Sequence, residues 1–129
     1  MSKPLINKLT IIGVGLIGGS LARALRRAEQ VGTIVGCGRN TGHLEIARKL
    51  GVVDMIETDP AKACEGSDVI VLATPLGAMR SVLEQIAQVI SEKTVITDVG
   101  SAKASVVADA MAVFGKLPAN LVPGHPIAG

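Results

Sequence analysis

The segment Leu9-Thr10-Ile11-Ile12-Gly13-Val14-Gly15-Leu16-Ile17-Gly18 decides the fold. Its first four residues read as a buried strand. G-x-G-x-x-G follows at once and opens a stretch of helical period that carries Leu21, Ala22, Leu25 and Ala28. Gly13 permits the tight turn out of the strand. Gly15 lets backbone N–H groups reach a pyrophosphate with no Cβ in the way. Gly18 lets the helix lie close to the strand, with its positive end facing the phosphates. Close packing alone is the competing reading of these glycines, but the strand before and the helix after favour a nucleotide. Gly13, Gly15, Leu16, Ile17 and Gly18 are thus the expected cofactor-binding residues of this loop.

The same alternation continues along the chain. Val- and Ile-rich runs at Leu9–Ile12, Thr33–Cys37, Met55–Glu57, Val69–Ala73, Val95–Asp98 and Leu121–Pro123 read as strands, and their continuous hydrophobicity implies burial on both faces. Between them run two apolar stripes of helical period. One is Met79, Val82, Leu83, Ile86, Val89 and Ile90; the other is Val106, Val107, Ala110, Met111 and Phe114. Asp59 before Pro60 reads as an N-cap with a first-turn proline, and Gly51 and Gly115 follow apparent helix ends. The expected architecture is a doubly wound, mostly parallel α/β sheet of the Rossmann type, in three layers αβα.

With 129 residues the chain has room for one domain of roughly 150 residues at most. Its 48% apolar content excludes disorder, and one Phe with no Trp or Tyr argues against stacking on single-stranded nucleic acid. A net charge of +2, with no basic run, points away from nucleic acid as well. Lys3 and Lys8 before Leu9 to Ala22 imitate a signal peptide, but glycines interrupt the apolar stretch and no window is long enough to span a membrane. Cys37 and Cys64 lack a CxxC or histidine spacing, so no metal is expected. They read as buried free thiols of a cytoplasmic protein.

An NAD-preferring site usually carries Asp or Glu at the end of the second strand, to bind the adenosine ribose. Here that position is Gly38, followed by Arg39 and Asn40. Arg39 fits a 2′-phosphate, with Asn40 and Thr41 as neutral donors, so NADP is the preferred cofactor. Stacking of Arg39 on adenine, with NAD bound, is the alternative; His43 reads as an exposed first-turn residue. After the fourth strand, Ala73, Thr74 and Pro75 are expected along the nicotinamide ribose, where Thr74 also suits a helix cap.

Two segments at the carboxyl end of the sheet carry more polar chemistry than packing needs: Asp98-Val99-Gly100-Ser101-Ala102-Lys103 and Gly124-His125-Pro126-Ile127-Ala128-Gly129. Gly100 is expected beside the cofactor. Ser101 and His125 pair as a hydroxyl and an imidazole base, while Asp98 and Lys103 stay open between ligand binding and loop support. No G-x-S-x-G elbow accompanies Ser101, which disfavours a serine hydrolase.

The glycine loop, Ala73-Thr74-Pro75, the D-x-G-S-x-K loop and His125-Pro126-Ile127-Ala128-Gly129, in this order and spacing, resemble the nucleotide-binding half of the prephenate and arogenate dehydrogenases. The resemblance runs from Leu9 to Gly129. It implies oxidative decarboxylation of prephenate to 4-hydroxyphenylpyruvate, or of arogenate to tyrosine, in tyrosine biosynthesis. It further implies His125 as the base on the substrate's ring hydroxyl and Ser101 as its orienting partner. In the family a helical domain follows that forms a homodimer and binds substrate. The chain is therefore expected to be the dinucleotide-binding half, 1–129, able to bind cofactor without turnover, and a monomeric state stays open for it. Two alternatives compete: another reductase of the β-hydroxyacid or imine type, and a non-catalytic NADP-binding module.

Overall fold

The structure, a computed structural model, describes residues 5–13, 16–74, 76–91, 93–98, 111–115 and 121–122. Six strands, β1 (Ile6–Ile12), β2 (Val31–Cys37), β3 (Met55–Glu57), β4 (Val69–Leu72), β5 (Val95–Asp98) and β6 (Leu121–Val122), form one sheet in the order β3-β2-β1-β4-β5-β6. Every pairing in it is parallel. The helices are α1 (Leu16–Arg27), α2 (Thr41–Lys49), α3 (Pro60–Cys64) and α4 (Leu76–Ile86). The expected stripe after β5 is described only at its end, where Val113 and Phe114 pack on the core while Met111 is exposed. The buried phase there falls on 113–114, so Met111 does not dock on the sheet; Val106, Val107 and Ala110 lie outside the described residues.

Strand alternation explains the layers. Leu9 and Ile11 of β1 and Val71 of β4 face a cluster with Ala22 of α1 and Ala47 of α2. Ile12, Ile70 and Leu72 face the opposite cluster, with Ala63 and Cys64 of α3 and Met79, Leu83 and Ile86 of α4. Because helices cover both faces, the buried stretches of the central strands, Leu9 to Ile12 and Ile70 to Leu72, are almost wholly apolar. The polar exception is Thr10. Its buried hydroxyl reaches the Ala63 carbonyl at 2.8 Å and Ser67 Oγ at 2.6 Å, which satisfies it beneath α3.

Two carboxylates hold the sheet away from its carboxyl end. Asp68 Oδ2 accepts the backbone N–H groups of Asn7 and Lys8 at 2.9 and 3.0 Å. Asp54 Oδ2 accepts Ile34 N–H at 2.8 Å and pairs with Arg26 at 3.1 Å. The expected punctuation is present: Asp59 caps α3 through Ala61 N–H at 3.0 Å, with Pro60 in its first turn. Gly51 and Gly115 take φ of 77° and 76°. No helix among the described residues is long and apolar enough to cross a membrane.

Candidate functional site

The strand order reverses direction between β1 and β4, and an open parallel sheet binds ligands outside the carboxyl ends at such a point. A cavity of about 400 Å³ lies there. Ile12 and Gly13 form its floor, and Cys37, Gly38 and Arg39 line it from the end of β2. Thr58 and Pro60, between β3 and α3, close a further side. Opposite them stand Thr74 and one face of α4: Ala78, Ser81, Val82 and Gln85.

Gly13 is a glycine for two reasons. Its φ is +84°, and a Cβ there would lie 2.9 Å from the Ala73 carbonyl oxygen and 3.0 Å from Thr74 Cα. The turn is drawn toward β2 by a 2.7 Å hydrogen bond from Gly13 N–H to the Cys37 carbonyl. The chain thus leaves β1 pressed against the start of the loop after β4, which keeps the cavity floor low. The first turn of α1 holds no acidic residue to repel a phosphate. The floor, the reversal of strand order and the acid-free helix start fit a dinucleotide's phosphates. Gly13 and the backbone of 16–18 are the parts of the glycine loop that would hold them.

Gly38 is a different case. A Cβ there would meet only Leu44 Cδ2, at an ordinary 3.8 Å, so the fold does not require glycine. What glycine withholds is a side chain over the cavity. Arg39 beside it is exposed and makes no hydrogen bond or ion pair among the described residues. The nearby acids are engaged elsewhere. Glu57 Oε2 accepts Thr58 and Asp59 N–H at 2.8 and 3.0 Å, and these bonds, that from Asp59 foremost, hold its carboxyl below the usual range. Glu57 lines a separate groove with Lys8 and Lys62. Burial pushes the Cys37 thiol up to about 11 and Cys64 up to about 12, so both stay protonated near neutral pH.

Of the residues expected from sequence, Gly13, Gly38, Arg39 and Thr74 meet at the cavity. Leu16, Ile17 and Gly18 open α1. Ala73 touches the cavity floor through its backbone against Gly13 rather than forming a wall. Asn40 is the N-cap of α2, its Oδ1 accepting His43 N–H at 3.0 Å, and it does not line the cavity. The Thr74 hydroxyl faces Met79 Sδ at 3.9 Å. Asp98 is buried at the end of β5. Gly15, Pro75, Gly100, Ser101, Lys103 and His125 lie outside the described residues. Sequence reasoning missed Thr58, Pro60, Ser81 and Gln85. The one available signal for the last two was their spacing of four beside the apolar stripe of α4.

Residues 21–129 match the family described as prephenate dehydrogenase, nucleotide-binding domain. The chain is 34% identical over 125 residues to the prephenate dehydrogenase of Lactococcus lactis subsp. cremoris, across 96% of this chain and 35% of that protein. The crystal structure of prephenate dehydrogenase from A. aeolicus in complex with hydroxyphenyl propionate and NAD+ matches with a TM-score of 0.84 and 35% identity, over 95% of this chain and 42% of that one. Synechocystis arogenate dehydrogenase matches with a TM-score of 0.77 and 29% identity, over 92% of this chain and 40% of that one. The chain spans about a third of the length of the curated prephenate dehydrogenases it matches. Because the family match begins within α1 and takes in every later strand, the chain belongs to the prephenate dehydrogenase nucleotide-binding domain family.

Proposed function

We propose that this chain is the cofactor-binding half of an NAD(P)-dependent prephenate or arogenate dehydrogenase, an oxidoreductase of tyrosine biosynthesis working in the cytoplasm. The observation that carries the reading is the cavity at the reversal of strand order, floored by Gly13 and flanked by the exposed Arg39. A helical half, as the family resemblance implies, would bind the ring substrate and form the homodimer.

When bound, the nicotinamide supplies a hydride acceptor. In this chain His125 would, by the family resemblance, take the proton of the substrate's ring hydroxyl. The bond to the ring carboxylate then breaks, carbon dioxide leaves, and its electron pair makes the ring aromatic. The proton returns from His125 to the phenolic oxygen. By the same resemblance Ser101 would orient that imidazole, and Gly100 with Ala73-Thr74-Pro75 would border the nicotinamide ribose.

The assay is reduced dinucleotide and carbon dioxide formation by the enzyme extended through its substrate half, with prephenate, arogenate and a β-hydroxyacid in parallel. Turnover of either cyclohexadienyl substrate supports the reading. Turnover of the hydroxyacid alone contradicts it.

NADP is the cofactor this site suits better, because Gly38 offers no carboxylate to the ribose and Arg39, exposed at the cavity, suits a 2′-phosphate. NAD is the second reading, favoured by the NAD+ in the A. aeolicus complex. Arg39→Ala is expected to weaken NADP binding by about 10- to 30-fold and to change NAD binding by less than about threefold, the effect of one charge-assisted contact at an exposed site. An unchanged NADP to NAD affinity ratio in titration calorimetry would remove Arg39 from the account.

A further inference from the structure

We propose that Ser81 and Gln85 of α4 read the edge of the purine base, so that the site selects adenine dinucleotides over those carrying a 6-oxopurine. The inference rests on the dinucleotide reading above and deepens it. With the phosphates at Gly13 and the ribose at Gly38 and Arg39, the part of the cavity left for the base is bounded by Pro60 on one side and Ala78 and Val82 on the other. Its polar groups on α4 are Ser81 and Gln85, one helical turn apart and on the same face.

Their hydrogen bonds fix which atoms they present. The Gln85 amide nitrogen lies 3.3 Å from the Ser81 carbonyl and 3.2 Å from Ser81 Oγ. A carbonyl only accepts, so the atom facing it is the NH2 group and Oε1 points away as an acceptor. Ser81 Oγ, accepting from that NH2, keeps its own proton to donate. The pair therefore offers one acceptor and one donor, held together by the helix. Adenine has the complementary Watson–Crick edge: the N6 amine donates, beside ring N1, which accepts. Hypoxanthine reverses both, with a carbonyl that accepts and a ring N–H that donates. Hypoxanthine would therefore set acceptor against acceptor and donor against donor.

The test is titration of the 129-residue chain with NADP+ and NAD+ and with their hypoxanthine counterparts, for wild type, Gln85→Leu and Ser81→Ala. The wild type is expected to bind the adenine forms about tenfold more tightly. Gln85→Leu should bring the ratio within about twofold, chiefly by weakening the adenine form, and Ser81→Ala should lower it in the same direction. Equal wild-type affinities for the two bases, or a ratio that both variants retain, would overturn the inference and leave the dinucleotide reading intact. Absence of saturable binding by every dinucleotide would overturn both.

Discussion

Gly13→Ala is expected to abolish measurable dinucleotide binding, a loss of more than about 100-fold, and to lower stability by about 2 kcal/mol or more. Two costs act at one atom. The backbone sits at φ +84°, where a Cβ is strained, and the added carbon would meet the Ala73 carbonyl at 2.9 Å and Thr74 Cα at 3.0 Å. Both contacts are backbone, so no rotamer relieves them. The loop must lift away from β4, which raises the cavity floor and tilts the amide groups that would face the phosphates. Gly51→Ala is the control: its φ is +77°, but nothing lies within 4 Å of a Cβ there. It should cost about 1 kcal/mol and leave binding unchanged. Denaturant unfolding with dinucleotide titration separates the two. Equal binding by Gly13→Ala and the wild type would mean that the loop does not hold the phosphates.

His125→Asn is expected to reduce kcat of the extended enzyme by about 10²- to 10⁴-fold, the range for loss of a positioned general base, while cofactor affinity stays within about twofold. Asparagine keeps a polar side chain of similar reach and cannot take a proton at neutral pH. The base works as neutral imidazole, so wild-type activity should fall as acid pH protonates it. The variant's residual activity should lack that acidic limb. Retained turnover, with the same limb, would assign the proton transfer to another group.

The strand ends explain how much of the fold could be read from sequence. Met55–Glu57 and Val95–Asp98 agree residue for residue with the apolar runs that announced them. β1 begins three residues before its apolar run, at Ile6 to Lys8, which are partly or fully exposed, and β2 begins at Val31, two residues before its run, where a buried valine pairs with Ile6 ahead of the exposed Gly32. In β1 the backbone ladder, rather than burial, sets the boundary, and hydrophobicity does not report it; in β2 the exposed Gly32 separates Val31 from the continuous run. In the site, Gly13 was legible because a turn after a strand imposes a chemical demand on one residue. Ser81 and Gln85 were not legible: each is an ordinary exposed polar residue of a helix, and only the approach of α4 to the end of β2 turns their face into a wall. From sequence Asn40 reads as a neutral donor to the cofactor, whereas the 3.0 Å bond from His43 N–H gives its oxygen to the cap of α2.

The account stands most directly on one titration. NADP+ and NAD+ added separately to the 129-residue chain should each bind saturably at one site per chain, compete with each other, and show the tighter constant for NADP+. Failure of both to bind, or binding that Gly13→Ala leaves untouched, would contradict the assignment of the crevice between β1 and β4 as the dinucleotide site.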